Sequence, residues 1–191
     1  MTFNFESTKK DILNKKDKSN IGFIDKDILK LCDKINSNSN YFTTSSCSGR
    51  IVLVLDGKKR KDIFLFRTHD KINFNELKYK ILEISEKFKK ELIYFKQEPC
   101  LIVVSCKNKE SQWKLFSEAR NNGWKKSGIL SLDKKILVEL MSTENISFPI
   151  IKNRRILVDD KFLKIVLNKS NKNLEKGWSK IKYLEKKMDY L

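Results

Sequence analysis

Apolar, strand-like runs in this chain come mostly in pairs separated by a short polar stretch, and amphipathic helical patterns fall between the pairs. Two strands joined by a short turn lie antiparallel, whereas parallel neighbours need a long crossover. The runs are 41–45, 51–55, 63–67, 92–95, 100–106, 128–132, 135–141, 147–151 and a short one at 156–158. Apolar residues at helical spacing predict a helix over Lys9–Lys18 and a second one capped by Asp25, with Ile28, Leu31, Cys32 and Ile35 on its inner face. A third covers 73–90, with the stripe Leu77, Ile81, Ile84 and Phe88. A fourth runs from about Lys109 to the stop at Asn122-Gly123. The last, from Asp160 to the C-terminus, carries Leu174, Trp178, Ile181, Leu184, Met188 and Leu191 inward in spite of Gly177. The expected fold is α+β, a largely antiparallel or mixed sheet with packed helices. The element order is compatible with an internal duplication, which no sequence identity supports. A doubly wound Rossmann-type sheet is not expected, because no GxGxxG follows a first strand and the chain has only six glycines. No Gly/Ser/Pro linker or composition shift divides residues 1–191, so the expectation is one domain.

Charge narrows the class of partner. Lys and Arg number 41 against 24 Asp and Glu, a formal net charge of +17, in a chain that is 40% hydrophobic and has 12 Phe and 3 Trp. That apolar content supports a folded globule. The excess of cations attracts polyanions, nucleic acid first and an anionic membrane surface second, although a Lys/Asn/Ile-rich proteome also drifts basic without any partner. No apolar run approaches the roughly 18 residues of a membrane span, and residues 1–20 lack the apolar core of a secretion signal. Cys32, Cys47, Cys100 and Cys106 show no CxxC spacing and meet only one histidine, so no metal site is expected. Reduced thiols in the cytoplasm are the expectation, with Cys32 and Cys106 in the core.

Residues 45–50, Ser-Ser-Cys-Ser-Gly-Arg, lie between two strand-like runs. Short hydroxyl side chains, a glycine and an arginine are poor core material but suit a pocket, leaving room for a ligand and offering it hydrogen bonds. His69 is the only histidine and stands at the exit of the 63–67 strand, one hairpin from that loop. An imidazole there is a candidate general base or orienting donor. A Ser or Cys nucleophile ranks lower, since no GxSxG elbow is present. The turn Asp56-Gly57-Lys58-Lys59-Arg60-Lys61 reads equally as a solvated hairpin tip and as a phosphate contact.

Several blocks in one order resemble the tRNA wybutosine-synthesising protein 3 family of archaea and eukaryotes. They are Asp17-Lys18-Ser19 with Gly22 and Asp25, Ile35-Asn36, YFTTSSCSGRI at 41–51, Thr68-His69, Phe95 with Glu98-Pro99, GWKKSGI at 123–129, and Ser142-Thr143. The chain departs from the family pattern at Phe64, where members often have Trp, and at Leu140-Met141, where they often have Ile-Arg. The resemblance implies a methyltransferase dependent on S-adenosylmethionine. Its substrate would be the tricyclic 7-(3-amino-3-carboxypropyl)-4-demethylwyosine base at position 37 of tRNA(Phe), methylated on a ring nitrogen. On that reading Ser45, Ser46, Ser48, Gly49, Ser127 and Gly128 bind the cofactor, Arg50 pairs with a carboxylate or phosphate, and His69 takes or orients the proton. The anticodon arm would be the RNA element contacted. The alternative is a tRNA-binding protein of the same fold without catalysis. A membrane-surface protein is disfavoured, because no helix joins a strong apolar face to a concentrated basic one.

Overall fold

The computed structural model describes residues 4–14, 24–57, 63–132 and 135–191. The Asp17-Lys18-Ser19 block, Gly22, the Lys58–Lys61 tip and the far end of the expected 9–18 helix lie outside these residues. The chain forms two compact units, each assembled from separate segments. The first comprises Met1–Ser48, Cys100–Thr143 and Gly177–Leu191, the second Gly49–Pro99 and Glu144–Lys176.

In the first unit α1 (Phe5–Leu13) begins earlier than its pattern predicts, because the Asn4 side-chain oxygen accepts the Ser7 N–H at 3.1 Å and caps it. Phe5 then packs on Phe42, ring centroids 5.1 Å apart. α2 (Lys26–Ser37) buries the expected Ile28, Leu31, Cys32 and Ile35. The sheet, ordered β1-β5-β7-β6, consists of β1 (Tyr41–Cys47), β5 (Leu101–Cys106), β7 (Lys135–Met141) and β6 (Gly128–Leu132), every pair antiparallel. α4 (Lys109–Asn121) starts in a reciprocal capping box of Asn108 and Ser111 and stops at Gly123, whose φ of 92° only glycine adopts without strain. Trp124, Tyr41, Ile102, Val104 and Leu140 fill the core, joined by Ile181 and Leu184. Each such buried aliphatic side chain contributes about 1.5–3 kcal/mol. Cys32 and Cys106 are core residues as expected, and burial pushes their thiols up to about 11 and about 12.

The second unit's sheet, ordered β3-β2-β4-β8-β9, is also antiparallel throughout. Next to its edge strand lies β2 (Arg50–Leu55), buried in every residue but Arg50. On one side lies β3 (Phe64–Thr68). On the other lie β4 (Leu92–Glu98), β8 (Ile146–Lys152) and β9 (Arg155–Ile156). β9 begins one residue before the run expected at 156–158, because a two-residue turn suffices to reverse the chain. α3 (Phe74–Lys87) is capped by Asn73, which accepts the Glu76 N–H at 2.9 Å. Phe148 stacks on Phe95 and meets Phe162 edge-on.

The architecture is the expected α+β, with no parallel pair among the described strands. The stretch β2-β3-α3-β4 carries hairpin, helix, strand; β5-α4-β6-β7 carries strand, helix, hairpin. The likeness between the halves is one of content, in opposite order. α5 (Asp160–Lys187) contains the boundary at Lys176–Gly177. No helix among the described residues is long and apolar enough to cross a membrane.

Candidate active site

Residues 45–50 leave the first unit after Ser48 and enter the second at Gly49. β1 runs to Cys47, two residues past its expected end; its pairing with β5 shifts register between Thr43 and Ser45, and beyond that shift successive side chains point to opposite faces. Ser45 is exposed and lies in a row with Val103, Glu139 and Gly128 across all four strands. Ser46 faces the core side, level with buried Ile102 and Leu140, and its hydrogen bond holds the Cys32 thiol down against the upward pull of burial. Neighbouring serines therefore look in opposite directions.

Ser48 is wholly buried; its N–H and its hydroxyl both donate to one Asp25 oxygen, at 2.7 and 3.1 Å. Asp25 stands at the N-cap position of α2, yet its carboxylate makes no side-chain cap. Ser127 is committed in a similar way: its hydroxyl donates to the Trp124 carbonyl at 2.7 Å and accepts the Met141 N–H at 3.1 Å. Gly128, at the start of β6, sits at the same end of the sheet as Ser45, three strand spacings away or about 14 Å. A Cβ on Gly128 would meet nothing within 4 Å, so the chain's own packing does not require glycine there.

In the second unit Gly49, Arg50 and His69 come together. Gly49 has φ 95°, the left-handed region, which turns its carbonyl to the His69 Nδ1 at 3.1 Å. A carbonyl can only accept, so Nδ1 carries the hydrogen and a neutral ring has its lone pair on Nε2. Arg50 faces Glu98 across the β2–β4 ladder, and its Nε donates to the Glu98 carboxylate at 2.5 Å. The guanidinium also lies 4.8 Å from the centroid of the Phe64 ring, which Arg67 approaches at 5.7 Å. Among the described residues the Arg50 Nη atoms have no protein hydrogen bond, so this half of the fork is available to an anion.

The residues that brace this corner carry no functional signal in the sequence. Gln97, 1% exposed, donates to the carbonyls of Glu98 and Glu144 at 2.9 and 3.1 Å and accepts from Asn173 at 2.8 Å. These bonds fix the end of β4 and with it Glu98. Asn173 lies 76 residues from Gln97 in the chain, so no local pattern reveals the pair.

Two antiparallel sheets, an imidazole oriented by a carbonyl and a half-committed arginine define an α+β protein with polar, protein-braced binding surfaces and no glycine-rich nucleotide loop. Residues 7–190 match the family model described as Methyltransferase TYW3, and the chain belongs to that family. A protein of Pyrococcus horikoshii named tRNA(Phe) 7-((3-amino-3-carboxypropyl)-4-demethylwyosine(37)-N(4))-methyltransferase 1 is 34% identical over 100% of this chain and 97% of its own length. The tRNA wybutosine-synthesizing protein 3 homolog of Danio rerio is 34% identical over 93% of this chain and 71% of its own. A solved structure of the PH1069 protein from Pyrococcus horikoshii superposes with a TM-score of 0.84 at 33% identity, covering 97% of this chain and 96% of that one.

Proposed function

We propose that this protein transfers the methyl group of S-adenosylmethionine to a ring nitrogen of the 7-(3-amino-3-carboxypropyl)-4-demethylwyosine base at position 37 of tRNA(Phe). The observation that carries this reading is the near full-length similarity to proteins named for that reaction. The net charge of +17 agrees with an RNA substrate. The anticodon arm as the contacted part and the cytoplasm as the location belong to the same reading.

When bound, S-adenosylmethionine supplies an electrophilic methyl on a sulfonium centre. Transfer in line from sulfur to nitrogen needs no covalent intermediate on the protein, so its residues have to position the partners and remove a proton. His69 is the acceptor in this proposal. With Nδ1 held by the Gly49 carbonyl, Nε2 is the atom that takes the proton leaving the ring nitrogen. Arg50, with Glu98 offsetting part of its charge, binds a carboxylate or phosphate through its Nη atoms. In the first unit the donor set suits a polar, carboxylate-bearing ligand. Ser45 presents an exposed hydroxyl, and the open space over Gly128 admits a group against the backbone. Ser46, Ser48 and Ser127 serve the cofactor by shaping the strand ends around those two residues, and Gly49 by orienting His69.

The reading is tested by methyl transfer from labelled S-adenosylmethionine to tRNA(Phe) isolated from a strain lacking this gene, with unmodified transcript as control. The expected outcome is label at base 37 of the isolated tRNA and none on the transcript. Binding of the isolated tRNA with no transfer would instead support the non-catalytic alternative.

A further inference from the structure

The turn between β8 and β9 holds an arginine where backbone geometry calls for glycine. It is a two-residue hairpin turn, Asn153-Arg154, closed by the pair Lys152↔Arg155. Both turn residues are left-handed, with φ 50° and 63°, and they are the only such non-glycine residues among those described. Hairpin turns with two left-handed residues favour Asn followed by Gly. Asn153 fits that preference. Arg154 does not, because its Cβ crowds the following carbonyl, a strain that glycine would relieve.

Lys152, Arg154 and Arg155 are exposed, and among the described residues none of them has an ion pair or side-chain hydrogen bond. Their neighbours are basic too. Lys152 lies opposite Leu92, the first residue of β4, and exposed Lys89 and Lys90 come just before that strand. Among the described residues the carboxylates Asp56 and Glu91 lie at the same end of the sheet as these five cations. Arg50 lies at the other end of β2, five residue steps or about 17 Å away.

We propose that this basic end of the second unit's sheet, centred on Arg154, binds the phosphate backbone of the RNA substrate; the proposal rests on the tRNA reading above. A polyanion with regularly spaced charges matches a row of exposed cations, and such phosphate contacts set the position of the RNA without touching the reacting base. The turn presents no apolar side chain to enter a bilayer.

The test is Arg154→Gly in the full-length protein, with Lys152→Gln as a second variant that leaves the turn geometry alone. Binding of unmodified tRNA(Phe) transcript is measured across a salt series, alongside the thermal midpoint and binding to vesicles of phosphatidylglycerol and phosphatidylcholine. Arg154→Gly is expected to raise the midpoint by a few degrees and weaken RNA binding about 3- to 10-fold. Either variant should make the log–log salt slope shallower by roughly 0.7–0.9 for each phosphate that is no longer neutralised. A raised midpoint with unchanged RNA affinity and slope in both variants overturns the proposal, as does loss of vesicle binding alone. If the wild type fails to methylate tRNA while these RNA-binding changes persist, the catalytic reading falls and this surface stands.

Discussion

At the scale of single residues, His69 is the side chain whose role can be isolated most cleanly. Its ring is aimed by the Gly49 carbonyl, so removing the ring deletes the proposed proton acceptor. We expect His69→Ala to lower the single-turnover rate of methyl transfer by about 100-fold or more, as loss of a general base does, with tRNA affinity retained. Full turnover by this variant would remove the base assignment and leave the family membership untouched. Residues 45–50 stand out in the sequence because small polar side chains between two strand-like runs are conspicuous there. Their division is not legible: with the strand expected to end at Ser45, nothing sets Ser45 and Ser46 on opposite faces. Asp25 is legible as a cap position, yet its carboxylate bonds to Ser48, 23 residues away, and such a partner cannot be read from local spacing. Glu98 is visible as part of the Glu98-Pro99 block, but its pairing with Arg50 depends on the β2–β4 register.

Elements are more legible than individual side-chain partners, because periodic burial is written into every turn or pair of residues. Of the stripe expected from Asp160 to the C-terminus, Leu174, Ile181 and Leu184 of α5 are buried, as is Met188 in the 3-10 turn that follows α5, while Trp178 and Leu191 are half-buried. The helix start follows the usual rule as well, since the Asp159 side chain accepts the Phe162 N–H at 2.7 Å. Gly177 is the exception within that helix. A Cβ there would sit 3.6 Å from the Cys100 Sγ and 3.9 Å from the Ser48 carbonyl oxygen, ordinary van der Waals distances. Glycine costs roughly 0.5–1 kcal/mol relative to alanine inside a helix, so Gly177→Ala should raise stability by about that amount. A urea titration measures it; an unchanged slope with a higher midpoint is expected, and a lower midpoint would mean that the Cys100 side chain does not accommodate the methyl group. Gly123 makes the opposite case. Its φ of 92° and a Cβ position 3.0 Å from Lys180 Cε leave little room for alanine. The sequence already places Gly123 at a helix stop and Gly177 within a helix, and the backbone conformation of Gly123 agrees with that reading.

At the scale of the whole molecule, connectivity governs how stability is shared. The chain passes between the two units four times, at Ser48–Gly49, Pro99–Cys100, Thr143–Glu144 and Lys176–Gly177. None of these crossings is visible in the sequence, because a boundary without a linker leaves no mark in composition. Neither unit is a continuous stretch, so neither can be excised as a segment, and we propose that all 191 residues unfold as one cooperative system. Intrinsic probes can test this directly. Trp113, Trp124 and Trp178 all belong to the first unit, whereas far-UV circular dichroism reports helices and strands of both. Urea is the appropriate denaturant, since an ionic one would also screen the self-repulsion of a chain carrying +17. The tryptophan and circular dichroism transitions should coincide in midpoint and slope, as two-state unfolding requires. A circular dichroism transition that begins before the tryptophan signal moves would show the second unit opening alone, and residues 1–191 would then count as two domains.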